Sequence, residues 1–258
     1  MLESFQAFIT PFNLHRTVRV YLPPSYYQED KSYPVLYFHD GQNVFQDKDA
    51  VGGISLRLEE FLNEHGLEII VVGIDSNIGE ERVNEYCPWE NGEYSRKITG
   101  NKSALGGKGE AYLDFIVNEL KPFIDNKYRT LDQSTFMAGI SLGGLISTYA
   151  MCRYPNIFTR VVAISSAYYR NQEEIERLIK NTNLSSVERF YLDCGTKEAG
   201  KEEGISKEFL ASNKAIYELL KNEIAETRLE IVKNAEHNYV HFKERIPEIF
   251  AFLFSDSR

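Results

Sequence analysis

In the run Met137-Ala138-Gly139-Ile140-Ser141-Leu142-Gly143-Gly144, one serine stands between glycines two positions to either side. Apolar residues precede it, and a helix-like stretch, Leu145-Ile146-Ser147-Thr148-Tyr149-Ala150, follows it. A serine lifted out of a strand-to-helix turn occupies strained backbone, and small residues two positions away let strand and helix pack that closely. The chemistry this implies is nucleophilic attack. A serine hydroxyl attacks poorly until a base takes its proton, so a histidine is required, with a carboxylate to orient it.

The chain has five histidines. His15 precedes the core strands, His65 closes a helix-like segment, and His39 ends an apolar run beside Asp40 and Gly41. His237 and His241 lie in Glu236-His237-Asn238-Tyr239-Val240-His241, after the last strand-like run and before the last helix-like one. In the chain order nucleophile, acid, base, that is where the base belongs, and His237 occupies the point. Histidines four apart also suit a metal, but the stretch lacks the glutamate of HExxH and an evident third ligand. No metal and no cofactor is expected.

For the acid, Tyr191-Leu192-Asp193-Cys194-Gly195-Thr196-Lys197-Glu198 offers Asp193 in mid-strand and Glu198 past the strand's end. Side chains that reach the rim of a parallel sheet come from loops beyond the carboxyl ends of strands, which favours Glu198. Asp193 reads as a structural carboxylate. An oxyanion needs two backbone N–H donors. Leu142, following the nucleophile, should give one; Gln42, in the turn after His39-Asp40-Gly41, should give the other, with Gly41 as the alternative.

These groups need a frame to bring them together. Residues 16–23 alternate polar and apolar like an edge strand, whereas 33–40, 67–75, 134–140, 160–166, 189–195 and 228–235 are strand-length apolar runs, as in parallel strands buried on both faces. Helical spacing fills 56–66, 109–128, 143–155, 208–223 and 242–254, with Pro122 expected to kink or restart the second. Strand–helix alternation predicts a mostly parallel sheet covered by helices, in one domain spanning 1–258. Residues 79–109 break the alternation: they are polar, glycine-rich, and hold Arg82, Lys97 and the only tryptophan, Trp89. Such a stretch predicts a long substrate-facing loop.

Composition limits the partners. Twenty-nine Lys and Arg against 38 Asp and Glu give a net charge of −9, which opposes nucleic acid and anionic membranes. No window approaches a membrane span, and the N-terminus lacks the basic and apolar regions of a secretory signal. Cys87, Cys152 and Cys194 are scattered and form no metal spacing; reduced thiols in the cytoplasm are expected. The sequence leaves homo-oligomerisation open.

Five segments, YPVLYFHDGQNVF, YLDFIVNELKPFIDNKYRT, AGISLGGLISTYA, DCGTKE and EHNYVHFKERIPEIFAFLF, together resemble one family of α/β-hydrolases. It is the esterase family that includes esterase D, feruloyl and acetyl-xylan esterases, siderophore trilactone hydrolases and mycolyltransferases. The resemblance runs from about residue 18 to residue 254. It implies an α/β-hydrolase fold with helices on both faces of the sheet, Ser141 as nucleophile, Glu198 as acid and His237 as base. It also implies an oxyanion donor just after Gly41. Glutamate stands where the family more often has aspartate. Tyr168 and Tyr169 stand where relatives carry an aromatic wall, so Tyr168 is expected in the acyl pocket, with Trp89 and Arg82 as further substrate contacts. The function expected is hydrolysis of small-molecule carboxylic esters through an acyl-enzyme. The alternatives are a siderophore trilactone hydrolase, for which the segment 82–97 would suit a ferric catecholate, acyl transfer to a second acceptor, and an inactive hydrolase fold used for binding.

Overall fold

The computed structural model describes residues 1–100 and 103–255. Among them are eight strands: β1 (Leu2–Ile9), β2 (Leu14–Tyr21), β3 (Tyr33–His39), β4 (Ile70–Ile74), β5 (Thr130–Ile140), β6 (Phe158–Ile164), β7 (Arg189–Gly195) and β8 (Glu226–Val232). The helices are α1 (Leu58–Glu64), α2 (Gly79–Tyr86), α3 (Glu93–Thr99), α4 (Gly109–Phe115), α5 (Lys121–Lys127), α6 (Leu142–Arg153), α7 (Gln172–Lys180), α8 (Glu203–Leu220), α9 (Tyr239–Glu244) and α10 (Ile246–Phe254). The strands form one sheet in the order β1-β2-β4-β3-β5-β6-β7-β8. From β4 to β8 all pairings are parallel; β1 with β2 and β2 with β4 are antiparallel.

Strand alternation feeds two hydrophobic layers. In β3, Val35 and Tyr37 face one layer while Leu36 and Phe38 face the other, as a two-residue period requires. Residues of α2 and α4 to α8 cover the first layer; Leu58 and Leu62 of α1, Phe242 of α9, and Ile246, Ile249 and Phe250 of α10 cover the second. This is the α/β-hydrolase architecture the resemblance implied. The chain runs from β3 outward to β4, then returns to place β5 on the other side of β3. Loops leaving β3 and β5 therefore diverge, and a crevice opens between them at the carboxyl ends.

Four local features differ from the sequence reading or refine it. β1 carries no strong signal because it is an edge strand paired only with β2, with mostly half-exposed and exposed residues. β8 begins and ends earlier than the run 228–235, since the chain turns at Asn234 with φ +61°. The stretch 79–109 is not one long loop: it holds α2 and α3 and a bridge between Glu90 and Gly106. Helices of seven or eight residues span barely two turns, too few for a 3.6-residue period to stand out. At Pro122 the helix is handled by a π-helical stretch, Ile116–Leu120, after which α5 begins with proline in its first turn, where the missing N–H does least harm.

The helix α2 is tied to the sheet by a buried ion pair. Arg16 of β2 donates through Nη1 and Nη2 to Glu85 at 2.6 and 3.0 Å, and Asn77 adds a third donor at 2.6 Å. Removing one partner would strand a charge in the interior, whereas replacing both with apolar side chains removes the problem. Arg16→Met alone should therefore lose roughly 3–5 kcal/mol in denaturant unfolding, and Arg16→Met with Glu85→Leu should regain most of it. A double variant as unstable as the single one would show that the pair, not the stranded charge, matters.

Candidate active site

Ser141 lies between the end of β5 and the start of α6, with φ +61° and ψ −118°, a region non-glycine residues rarely adopt. The turn is held at both ends: Ser141 N–H donates to Ile164 O at 2.9 Å, and Ala167 N–H donates to Ser141 O at 2.9 Å. The flanking glycines answer to space. A Cβ on Gly139 would lie 2.3 Å from the backbone carbonyl of Gly143, and one on Gly144 would lie 2.7 Å from Ser166 Oγ. Strand and helix cannot approach this closely with larger residues.

His237 reaches the same crevice from the loop between β8 and α9. Its Nδ1 is 2.6 Å from Glu198 Oε2, and its ring is wedged edge-on between Phe209 and Phe242, at centroid distances of 5.5 and 5.1 Å. Glu198 follows β7. Its side chain is 1% exposed against 29% for His237, and its Oε1 accepts from Ser165 Oγ at 2.6 Å and from Gly195 N–H. Burial pulls its pKa up, but the hydrogen bond and charge of His237, with the Ser165 and Gly195 donors, outweigh that and hold it below the usual carboxylate value. Asp193 lies apart from the imidazole. It is fully buried in mid-strand and accepts from Arg245 Nη1 at 2.6 Å and Ser165 N–H at 3.1 Å. Burial pushes its carboxyl up to about 6 against the pull of Arg245.

The two histidines of the HxxxH spacing face different partners. His241 Nδ1 accepts the Glu236 N–H at 3.0 Å, while its own N–H is capped by Asn238 Oδ1 at 3.1 Å. Only His237 meets a carboxylate.

Ser141 and His237 share a pocket of about 450 Å³, whose walls include Asp40, Gln42, Ser76, Arg82, Tyr239 and Phe242. Leu142 is the first residue of α6, so its N–H has no intrahelical acceptor. Gln42 sits in a 3-10 turn, Gly41–Asn43, whose bonds begin with Asn43 N–H to Asp40 O at 2.8 Å. The Gln42 side chain is fully engaged: its Oε1 accepts Ser76 N–H and its Nε2 donates to Ser76 Oγ, both at 2.9 Å. That clamp fixes the Gln42 backbone at the pocket wall. Gly41 packs its Cα so close to β4 that a Cβ would lie 2.5 Å from Gly73 C.

Arg82 lines the pocket, yet its guanidinium is already committed. Nε and Nη2 donate to the two carboxylate oxygens of Asp40, each at 2.7 Å. Two expected contacts are corrected. Tyr168 is fully buried with its hydroxyl 2.6 Å from Thr148 Oγ1, beneath α6 rather than in the pocket. Trp89 packs edge-on against Tyr149 at 5.3 Å and is absent from the pocket wall. Tyr168 belongs to the core, and Trp89 packs half-buried against it.

His39, at the end of β3, is buried with Nδ1 3.0 Å from Tyr112 OH. Burial, assisted by Arg82 and opposed by Asp40, pushes its pKa down to about 4. The folded chain thus keeps this imidazole neutral while the unfolded chain protonates it below about 6.5. Its contribution to stability is present above that pH and is lost as pH falls toward 4. Between pH 7.5 and 4.5 the wild type should lose about 2–3 kcal/mol more stability in urea unfolding than His39→Phe does. Equal losses would rule out a neutral buried imidazole here.

The chain is similar to known proteins over nearly its full length. It is 29% identical over 253 residues to the uncharacterized protein YbbA of Bacillus subtilis strain 168, covering 95% of this chain and 94% of that protein. It is 25% identical over 166 residues to the ferri-bacillibactin esterase BesA of the same organism, covering 62% of this chain and 57% of that protein. Among solved structures, the IroE-like serine hydrolase of Shewanella oneidensis superposes with a TM-score of 0.75 at 20% identity, covering 98% of this chain and 80% of that one. The family described as "Putative esterase" matches residues 10–253, and with that match the chain belongs to this esterase family.

Proposed function

We propose that the protein is a serine esterase that hydrolyses small-molecule carboxylic esters through an acyl-enzyme. The observation that carries this reading is the Glu198–His237 contact of 2.6 Å, on an imidazole that shares a pocket with the strained Ser141. Glu198 holds the ring with Nδ1 protonated, leaving Nε2 to take the Ser141 proton as Oγ attacks the ester carbonyl. The N–H groups of Gln42 and Leu142 receive the oxyanion. The tetrahedral intermediate collapses as His237 returns the proton to the departing alcohol. Water then attacks the acyl-enzyme with the same base. No step needs a metal, and chelators should leave the rate unchanged. One sheet carries every residue of this reading, which supports a single catalytic domain. Three buried free cysteines support a cytoplasmic setting.

The pocket mouth supports an uncharged, apolar ester substituent as the preferred substrate. Val51 and Ile78 line it and stand 69% and 73% exposed, a placement of large apolar side chains that suits a hydrophobic ligand. The guanidinium at the wall, that of Arg82, is neutralised by Asp40. Similarity to BesA supports a second reading, cleavage of a siderophore trilactone. A ferric trilactone assayed beside p-nitrophenyl esters decides between them: a kcat/KM for the trilactone roughly 10²-fold higher or more would make it the substrate.

A fluorophosphonate probe should label the protein once, at Ser141. Ser141→Ala should abolish labelling and lower ester hydrolysis by roughly 10⁴-fold or more, since nucleophile and base act as one unit. Glu198→Gln should lower kcat by about 10²-fold or more with little change in KM, while His241→Ala stays active. Labelling that survives in Ser141→Ala would remove the reading, and an unlabelled, inactive wild type would favour a binding module. For the substituent, Val51→Ser with Ile78→Ser should cut kcat/KM for p-nitrophenyl octanoate about tenfold and leave the acetate within about twofold. Equal effects on the two esters would place the apolar group elsewhere.

A further inference from the structure

Behind the Glu198–His237 contact lies a second set of polar groups, shut off from water. Ser165 and Asp193 are fully buried and Arg245 is nearly so. Ser165 follows β6 with φ +41°, and its hydroxyl lies 2.6 Å from Glu198 Oε1. Arg245, between α9 and α10, sends one nitrogen, Nη1, to Ser165 Oγ at 2.8 Å and to Asp193 Oδ1 at 2.6 Å. Asp193 Oδ1 also takes the Ser165 N–H.

The donor inventory fixes the direction of this chain. A guanidinium only donates and an ionised carboxylate only accepts. Arg245 therefore uses the Ser165 oxygen as acceptor, and the single hydroxyl hydrogen is left for Glu198. The charges alternate from Asp193 to Arg245 and, across the Ser165 hydroxyl, to Glu198, whose other oxygen meets the His237 ring. A buried ion pair is weak support for stability, because apolar residues of similar volume usually do as well. This pair touches, through one hydroxyl, the carboxylate that holds His237.

We propose that Ser165 and Arg245 are positioning residues: anchored by Asp193, they hold the Glu198 carboxylate ionised and aimed, and so set the proton affinity of His237. The kinetic consequence rests on the esterase reading; the effect on His237 does not. The groups facing the imidazole are Glu198, Phe209 of α8 and Phe242 of α9, with the Asp40–Arg82 pair on the same pocket wall. Glu198 in turn faces Ser165, the Gly195 N–H and the Cys194 thiol.

The test is an NMR titration of the His237 ring in the full chain, read beside the pH profile of kcat/KM. In Ser165→Ala, Glu198 has lost a donor and presents more charge to the imidazolium, so the His237 pKa should rise by about 0.5–1 unit. In Asp193→Asn, the Arg245 charge is no longer balanced, so the pKa should fall. The acid limb of kcat/KM should move the same way, with kcat of Ser165→Ala down about tenfold and KM within about twofold. A merely structural role would lower the melting temperature and leave both titrations in place. An unmoved His237 pKa in Ser165→Ala, or shifts of one sign in both variants, would overturn the proposal. Opposite shifts in the two variants, beside a wild type that hydrolyses no ester, would uphold it and remove the esterase reading instead.

Discussion

Glu198 carries a charge with almost no exposed surface, and that condition orders the whole carboxyl edge of the sheet. Moving an ionised carboxylate out of water is costly unless donors replace the solvent. Here the donors are the Gly195 backbone, the Ser165 hydroxyl and the His237 ring. Each comes from a different part of the chain, so β6, β7 and the loop after β8 must keep register for the charge to be tolerated. The parallel pairings of β6 with β7 and β7 with β8 supply that register.

Strain collects at the same edge. Asp40, Ser141, Ser165 and Asn234 all have positive φ, and they follow β3, β5, β6 and β8 respectively. Non-glycine residues hold such conformations only where surrounding contacts over-determine them. Asp40 is held by Arg82, Ser141 by the backbones of Ile164 and Ala167, and Ser165 by Glu198, Arg245 and Asp193. Asn234 N–H donates to Thr196 Oγ1 at 2.8 Å, tying the strand that precedes His237 to the turn that leads to Glu198. The sheet thus delivers side chains from the loops after β3, β4, β5 and β8 into one crevice, with Glu198 and Ser165 behind it.

Much of this was legible in the sequence. The glycine spacing around Ser141, the place of Glu198 past a strand end and the place of His237 before the last helix are local patterns, and the folded chain brings Glu198 to His237. Pairings distant in sequence were not legible. Arg245 and Ser165 lie 80 residues apart, and nothing in either neighbourhood announces the other. Arg82 was singled out as a cation, but its capture by Asp40 depends on α2, which the polar stretch 79–109 did not reveal. Tyr168 was read as a pocket residue from the place of an aromatic wall in relatives and Trp89 from its polar, glycine-rich stretch; neither signal says which way a side chain turns, and burial of a large aromatic surface is a strong competing demand.

The central claim is that one serine, one imidazole and two backbone N–H groups converge on a single reacting carbon. A crystal structure of the protein inactivated by an alkyl fluorophosphonate tests it most directly, since the phosphonyl group mimics the tetrahedral intermediate. The account predicts phosphorus bonded to Ser141 Oγ, the phosphonyl oxygen about 2.7–3.1 Å from both the Gln42 and Leu142 nitrogens, and the alkyl chain lying against Val51 and Ile78. Phosphorus on another residue, or an oxygen turned away from those two N–H groups, would contradict it.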